Sequence, residues 1–316
     1  MVRDRIVGAF LGLACGDALG APAEFMSQSE LQARWGRLTE MTGGGIWQPG
    51  EWTDDTGMAL CVAEGILAAP IDPIDAIGDR FHPWAATAKD VGSTIRAALS
   101  AHRGDWVEAA RSTPQAQAGL AAGNGSLMRT LPVALTYGDE ERMLRTSARV
   151  SAMTHWDPQA EVCCALYCLW VQLLLAGEPL DEAWQAALEA AHQVAQRGSL
   201  APDTPGPAPL PAGFWYRLAA VEGLDYAQLQ PSGYAGYVVE CLEAAAWCCL
   251  NAAGPEEAIV QAVNLAGEAD TIAAVAGGAA GAAWGRDALP ARWLEKLHQR
   301  QRIEETAGHL AQLCEA

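Results

Sequence analysis

Positive charge is scarce in this sequence: 20 Lys and Arg stand against 38 Asp and Glu, a formal net charge of −18 over 316 residues. Non-specific binding to a phosphate backbone depends on clustered Lys and Arg that release counterions, so duplex nucleic acid is not an expected partner. A small anionic ligand stays open, provided metal ions, backbone N–H groups and helix N-termini supply positive potential locally. Paired CxxC motifs are also missing, although nine cysteines occur, at positions 15, 61, 163, 164, 168, 241, 248, 249 and 314. An odd number with adjacent pairs inside apolar stretches reads as reduced, buried thiols in a reducing compartment, and a structural zinc site has little support. Nor does any apolar run reach the roughly 20 residues that span a bilayer. Val162–Ala176 is interrupted by Gln172, and Ile6–Cys15, though preceded by Arg3 and Arg5, is glycine-broken and flanked by Asp4 and Asp17, unlike a secretory signal. The expectation is a soluble cytoplasmic monomer with no membrane partner.

What is abundant is alanine, within a hydrophobic content of 51%. Runs of β-branched residues are few, and apolar residues recur at three- and four-residue spacing, as in Ile6, Phe10, Leu13 or Leu60, Ala63, Ile66, Leu67. The pattern predicts an all-α chain. Breakers at 41–50, 112–125 and 199–213, the last with five prolines from Pro202 to Pro211, predict loops. None marks a composition shift sharp enough for a domain boundary, so one compact domain over 1–316 is expected. Gly277, Gly281 and Gly285 put a strip without side chains on one face of a helix, where another helix can approach closely.

Chemistry is carried by a few polar clusters at helix starts. Thr53-Asp54-Asp55-Thr56 precedes the helical pattern Met58–Leu67. Adjacent carboxylates repel each other; the positive end of a helix offsets part of that, and a divalent cation would offset far more. Gly267-Glu268-Ala269-Asp270-Thr271 also precedes an apolar helix, and on extended backbone its two acids would face one cation. Carboxylates and Thr hydroxyls suit Mg²⁺, Mn²⁺ or Ca²⁺ and not zinc. Each cluster alone is also an ordinary helix cap; two of them shift the reading toward a shared metal centre. Gly123-Asn124-Gly125-Ser126 is either an Asn-Gly turn or a cradle whose N–H groups approach an anion. Asp90 in Lys89-Asp90-Val91-Gly92 is a cap or a general base, and His155 a structural residue or a ligand contact.

Taken in order, these pieces resemble the ADP-ribosylglycohydrolase family, especially its bacterial branch that includes the dinitrogenase reductase-activating glycohydrolases. The resemblance runs through Gly8–Phe25, Trp52–Thr56, Lys89–Gly92, Gly123–Arg129, Thr154-His155, Gly236–Val239 and Ala266–Ala274, nearly the whole chain. It implies an all-α fold with a two-metal cleft, Mg²⁺ or Mn²⁺, that binds ADP-ribose and hydrolyses its bond to a modified side chain. By position, Thr53, Asp54, Asp55, Asp270 and Thr271 match metal ligands, with Glu268 where the family usually has an aspartate. Asp90 matches a proposed general base, and Glu24 a glutamate that borders the metals, is implicated in catalysis and is the runner-up as base. Gly123, Asn124, Gly125 and Ser126 match a phosphate-binding loop, His155 a nucleotide contact and Tyr237 an aromatic near the adenosine end. Ala266 replaces a common glycine.

The implied activity is release of ADP-ribose from mono-ADP-ribosylated protein, with arginine as the first choice of linkage. Carboxylates beside the anomeric carbon would stabilise an oxocarbenium-like state and deprotonate the attacking water. The rivals are a non-catalytic or differently specific ADP-ribose-binding relative, which Glu268 keeps open, and a two-metal phosphohydrolase acting on the pyrophosphate.

Overall fold

Residues 2–198, 200–206, 209–229 and 236–314 are described by a computed structural model. Helices carry the fold: among the described residues no strand forms, and the isolated bridges are Gly44 to Trp47 and Gly123 to Tyr237. The all-α expectation holds. The breaker segment 112–125 is less irregular than the sequence suggests. Thr113 accepts the Ala116 N–H and Pro114 takes the first helical position, so a short helix Pro114–Gln117 forms there. Of the expected loop 199–213, residues 199, 207 and 208 lie outside the described set.

The site is positioned by one helix pair. Val2–Gly20 and Ala269–Trp284 run antiparallel with backbone nearly on backbone: a Cβ at Gly12 would lie 2.1 Å from the Gly277 carbonyl oxygen, and one at Gly16 1.9 Å from that of Ala273. The glycine strip read from Gly277 and Gly281 therefore has a partner strip on the first helix; Gly285 lies beyond the helix end, at φ 82°. Antiparallel packing brings the C-terminal end of the first helix, with Asp17, against the N-terminal end of the other, with Asp270. A third helix, Asp54–Ala68, starts at the same place, its N-cap Thr53 accepting the Asp55 N–H. Two helix N-termini thus aim their positive ends at one acidic cluster.

Pro158–Ala176 begins four residues before its apolar run because Asp157 caps it and Pro158 occupies the first position. Tyr167 on this helix donates to the Val275 carbonyl at 2.9 Å, fixing it to the central pair. Val2–Ala23 and Pro158–Ala176 are apolar and long enough to cross a bilayer, but the most apolar 18-residue windows in them are 94% and 78% buried within the fold, as core helices are. None of the nine cysteines forms a disulfide, and all but Cys314 are buried.

Candidate active site

Asp17, to which sequence reasoning assigns no role, organises the centre. It is fully buried in the first helix; its Oδ1 accepts the Thr53 N–H at 2.8 Å, and its Oδ2 accepts the Thr56 N–H at 2.9 Å and the Thr56 hydroxyl at 2.6 Å. An acid inside an otherwise apolar helical run was the available signal. These bonds hold the 53–56 turn so that Asp55 faces Asp270. Thr53 Oγ1 donates to Asp55 Oδ2 (3.1 Å) and lies 3.5 Å from Asp270 Oδ2, while Thr271 Oγ1 donates to Asp55 Oδ2 at 3.3 Å. The sequence-read residues Thr53, Asp55, Asp270 and Thr271 are thereby brought together from segments more than 200 residues apart.

Carboxylate oxygens of Asp17, Asp55 and Asp270 lie within 4.8 Å of one another, a buried acidic cluster that could hold a metal ion. Asp55 Oδ1 is buried with no hydrogen-bond partner. An orphaned carboxylate oxygen is costly to bury, and a cation is the partner that would satisfy it. The donor set is all hard oxygen, which fits a divalent ion such as Mg²⁺ or Mn²⁺. Of the three acids, Asp55 and Asp270 have oxygens freer to meet an ion, because both oxygens of Asp17 are engaged by the turn.

The remaining acids form the rim. Glu24 follows the short turn Ala21–Ala23, and the chain beyond it is laced to the other segment: Phe25 N–H donates to Gly267 O at 2.6 Å and Gly267 N–H to Met26 O at 2.8 Å. Asp54 lies across from the Lys89–Gly92 turn, its Oδ2 3.4 Å from the Gly92 N–H, and Asp90 Oδ1 accepts the Val91 N–H at 2.8 Å. Burial is the first cause of raised carboxyl pKa values here and mutual repulsion the second. Asp17 is pushed to about 6, its hydrogen bonds pulling it partly back. Asp54 rises to about 7, with Asp90 and Asp17 adding to burial, and Glu24 to about 8, with Asp90, Asp54 and Glu268 adding. Asp55 and Asp270 are driven well above the ordinary range.

Glu268 does not turn toward Asp270 as an extended segment would allow. Helix Ala269–Trp284 starts one residue later, so Asp270 is already in its first turn and Glu268, at the N-cap, accepts from Asn124 Nδ2 at 3.1 Å. It bridges the acidic rim to the glycine turn. That turn is a 3-10 turn, Asn124–Ser126, pinned by Asn124 N–H to Gly236 O at 2.7 Å and Val238 N–H to Ala122 O at 3.0 Å. A cavity of about 190 Å³ joins the two, lined by Glu24, Asp54, Asp90, Gly123, Gly125 and His155 among others.

Two sequence-read residues sit differently. Ser126 is fully buried and its hydroxyl accepts from Ser151 at 2.9 Å, so only its backbone is available on the cleft side. Tyr237 is half-buried and bonds Gln159 through its hydroxyl; it lines a small neighbouring cavity with Asn124 and Glu268. His155 is buried beside Gly123 and Gly125, where a Cβ at either glycine would come within 3.1 Å of its ring. Arg129, fully buried, donates to Gly125 O at 3.2 Å and was another residue the sequence left without a role.

Comparisons with known proteins bear on the fold and the family. A family model described as ADP-ribosylglycohydrolase matches residues 1–316. The chain is 30% identical to the ADP-ribosylarginine hydrolase Tri1 of Serratia proteamaculans (strain 568), over 97% of this chain and 79% of that protein. It is 31% identical to the ADP-ribosyl-[dinitrogen reductase] glycohydrolase of Rhodospirillum rubrum, over 95% and 92%. A solved structure titled ADP-ribosylglycohydrolase-related protein complex superposes with a TM-score of 0.77 at 34% identity, covering 99% of both chains.

Proposed function

The chain belongs to the ADP-ribosylglycohydrolase family, and from that premise we propose that it releases ADP-ribose from mono-ADP-ribosylated protein by hydrolysing the N-glycosidic bond to arginine. The observation that carries this reading is the junction of Asp54 and Asp90 with the Gly123–Gly125 turn in one cavity. A diphosphate held by that turn and by the His155 side would extend its distal ribose toward the two carboxylates. Two relatives named for ADP-ribose hydrolysis from arginine or from dinitrogen reductase support the substrate class.

Thr53, Asp54, Asp55, Asp270 and Thr271 would hold the divalent ions, two Mg²⁺ or Mn²⁺ on this reading, with Glu268 at the rim. When bound, such ions supply positive charge for the ribose hydroxyls and the attacking water. The chain's own groups do the rest. Asp90 is the base: it takes the water's proton as the oxygen bonds to the anomeric carbon, the bonding pair of the C–N bond leaves with the guanidine nitrogen, and that nitrogen takes up the proton that Asp90 has gained, which restores the carboxylate. Glu24, whose raised pKa favours its protonated form in the metal-free cleft, is the second candidate and is better suited to donating than to accepting a proton. Developing positive charge on the ribose is stabilised by the surrounding carboxylates.

The test is a panel of arginine-, serine- and nucleotide-linked ADP-ribose with added Mg²⁺ or Mn²⁺. Free ADP-ribose from the arginine substrate is the expected product; AMP would mean pyrophosphate chemistry. Asp90→Asn should lower turnover by roughly 10²–10⁴-fold, the range for losing a general base, with ADP-ribose binding retained. A second reading, an ADP-ribose-binding relative without turnover, is favoured by one observation: Glu268 is engaged by Asn124. Binding without release from any linkage would select it.

A further inference from the structure

Asp54 and Asp90 face two cavities at once. One is the cleft of the glycine turn, about 190 Å³; the other is larger, about 650 Å³, and is bordered by the same two carboxylates. They are the only described residues common to both linings. A bond cleaved at these carboxylates would therefore have a second cavity beside it, apart from the glycine turn.

The larger cavity has the chemistry of a cation site. Its wall already seats one cation of the chain: Lys89 Nζ lies 2.7 Å from Glu51 Oε2, 3.0 Å from Ile46 O and 5.4 Å from the centre of the Trp47 ring. The lining holds five carboxyl groups against three cationic side chains, and two of those cations, Arg80 and Arg302, are paired with Glu64. Trp84 stands next to the reacting carboxylates for a local reason. Gly57 is three residues after Asp54 and so shares its helical face; a Cβ there would come 2.5 Å from Trp84 Nε1. The missing side chain lets the indole lie against the helix one turn from Asp54. Asp79, exposed on helix Ile74–Thr87, adds a negative charge to the same lining.

We propose that this cavity is the acceptor site: it receives the arginine side chain and the polypeptide flanking it, with the Trp84 ring stacking on the guanidinium and Asp79 attracting its charge. The inference rests on the arginine reading above and adds to it the residues that would choose the acceptor. A planar cation over an indole is a favourable pairing, stronger as the site is desolvated. A serine-linked substrate offers neither plane nor charge and gains nothing from these walls.

The experiment measures kcat and KM on a synthetic peptide carrying ADP-ribosylarginine, together with Kd for free ADP-ribose. Trp84→Leu and Asp79→Lys should each raise KM by roughly five- to tenfold, the size of one cation–π or charge contact, and leave the Kd of ADP-ribose unchanged; Trp84→Phe should restore most of the loss. If both variants keep wild-type KM with intact ADP-ribose binding, the acceptor assignment is overturned. Should Trp84→Leu lose ADP-ribose binding as well, its fold is damaged, and Asp79→Lys, at an exposed position, decides alone. A wild-type protein that binds ADP-ribose but releases none from arginine overturns the arginine reading itself, and the acceptor site with it.

Discussion

Thr154 Oγ1 lies 2.7 Å from His155 Nδ1, and the same oxygen accepts from Arg129 Nη2 at 2.7 Å. A guanidinium has no acceptor, so the threonine's own proton is free for the imidazole, and we assign the proton of neutral His155 to Nε2 on that basis. Burial, with Arg129 nearby, lowers the His155 pKa to about 3, which keeps the ring neutral. The ring therefore offers an N–H toward Gly123 and Gly125, suited to a phosphate oxygen, and cannot serve as a base. Thr154→Val should weaken ADP-ribose binding by roughly 5- to 30-fold, the range of about 1–2 kcal/mol for losing a placed hydrogen bond. Nitrogen NMR of the imidazole should show the Nε2–H form in the wild type and a tautomer mixture in the variant; an Nδ1–H ring in the wild type would sink the assignment.

Close packing of two helices makes Gly16 a site residue at one remove. A Cβ there would meet the Ala273 carbonyl oxygen at 1.9 Å, backbone against backbone, so the helices must separate. Gly16 adjoins Asp17, which holds the Thr53–Thr56 turn. Gly16→Ala should cost about 1–3 kcal/mol by overpacking and also weaken divalent-ion binding. A thermal melt and an ion titration check this; wild-type values in both would show that the pair tolerates spreading.

Ala266 is strained where a glycine would not be. Its φ is 63°, in the left-handed region, and Phe25 at φ 60° and Gly267 at φ 65° flank the same crossing. An L-residue pays about 1–2 kcal/mol there, against about 0.5–1 kcal/mol of chain entropy that glycine loses on folding. The first term wins. Ala266→Gly is expected to raise the melting temperature, a gain of up to about 1 kcal/mol, without changing KM; a lowered Tm would mean the strain is not where φ puts it.

Much of this was legible from the sequence, and the limits have a physical pattern. Helices followed from alanine content and three-to-four spacing, and the Thr53–Asp55 and Asp270–Thr271 clusters from polar residues at helix starts. Asp17 and Arg129 were not assigned, because a buried polar side chain betrays itself by its partners, and these come from remote segments: Thr53 and Thr56 for one, Val150 and Thr154 for the other. Side-chain direction was equally hidden. Nothing in Gly123–Ser126 shows that the serine hydroxyl turns inward to Ser151, and nothing in Gly267–Thr271 shows that Glu268 reaches Asn124.

Protons and a divalent ion would compete for the acidic centre, with a definite sign. Unfolded Asp and Glu titrate near 4, whereas Asp17, Asp54 and Glu24 stand at about 6, 7 and 8 in the fold without a metal. The folded chain thus holds more protons than the unfolded one between pH 4 and 8, so its metal-free stability falls as pH rises through that window. A divalent ion binds the deprotonated acids, so its stabilisation grows over the same window. Melting in a chelator should give a Tm that drops from pH 5 to pH 8, and Mg²⁺ or Mn²⁺ should restore most of the loss at pH 8 and little at pH 5. Asp270→Asn removes one ligand and one repelling charge together; it should abolish most of the ion-dependent gain while flattening the decline in chelator. A variant that keeps the full gain would remove Asp270 from the ligand set, and a metal-free Tm that rises with pH would overturn the electrostatic account of the cluster.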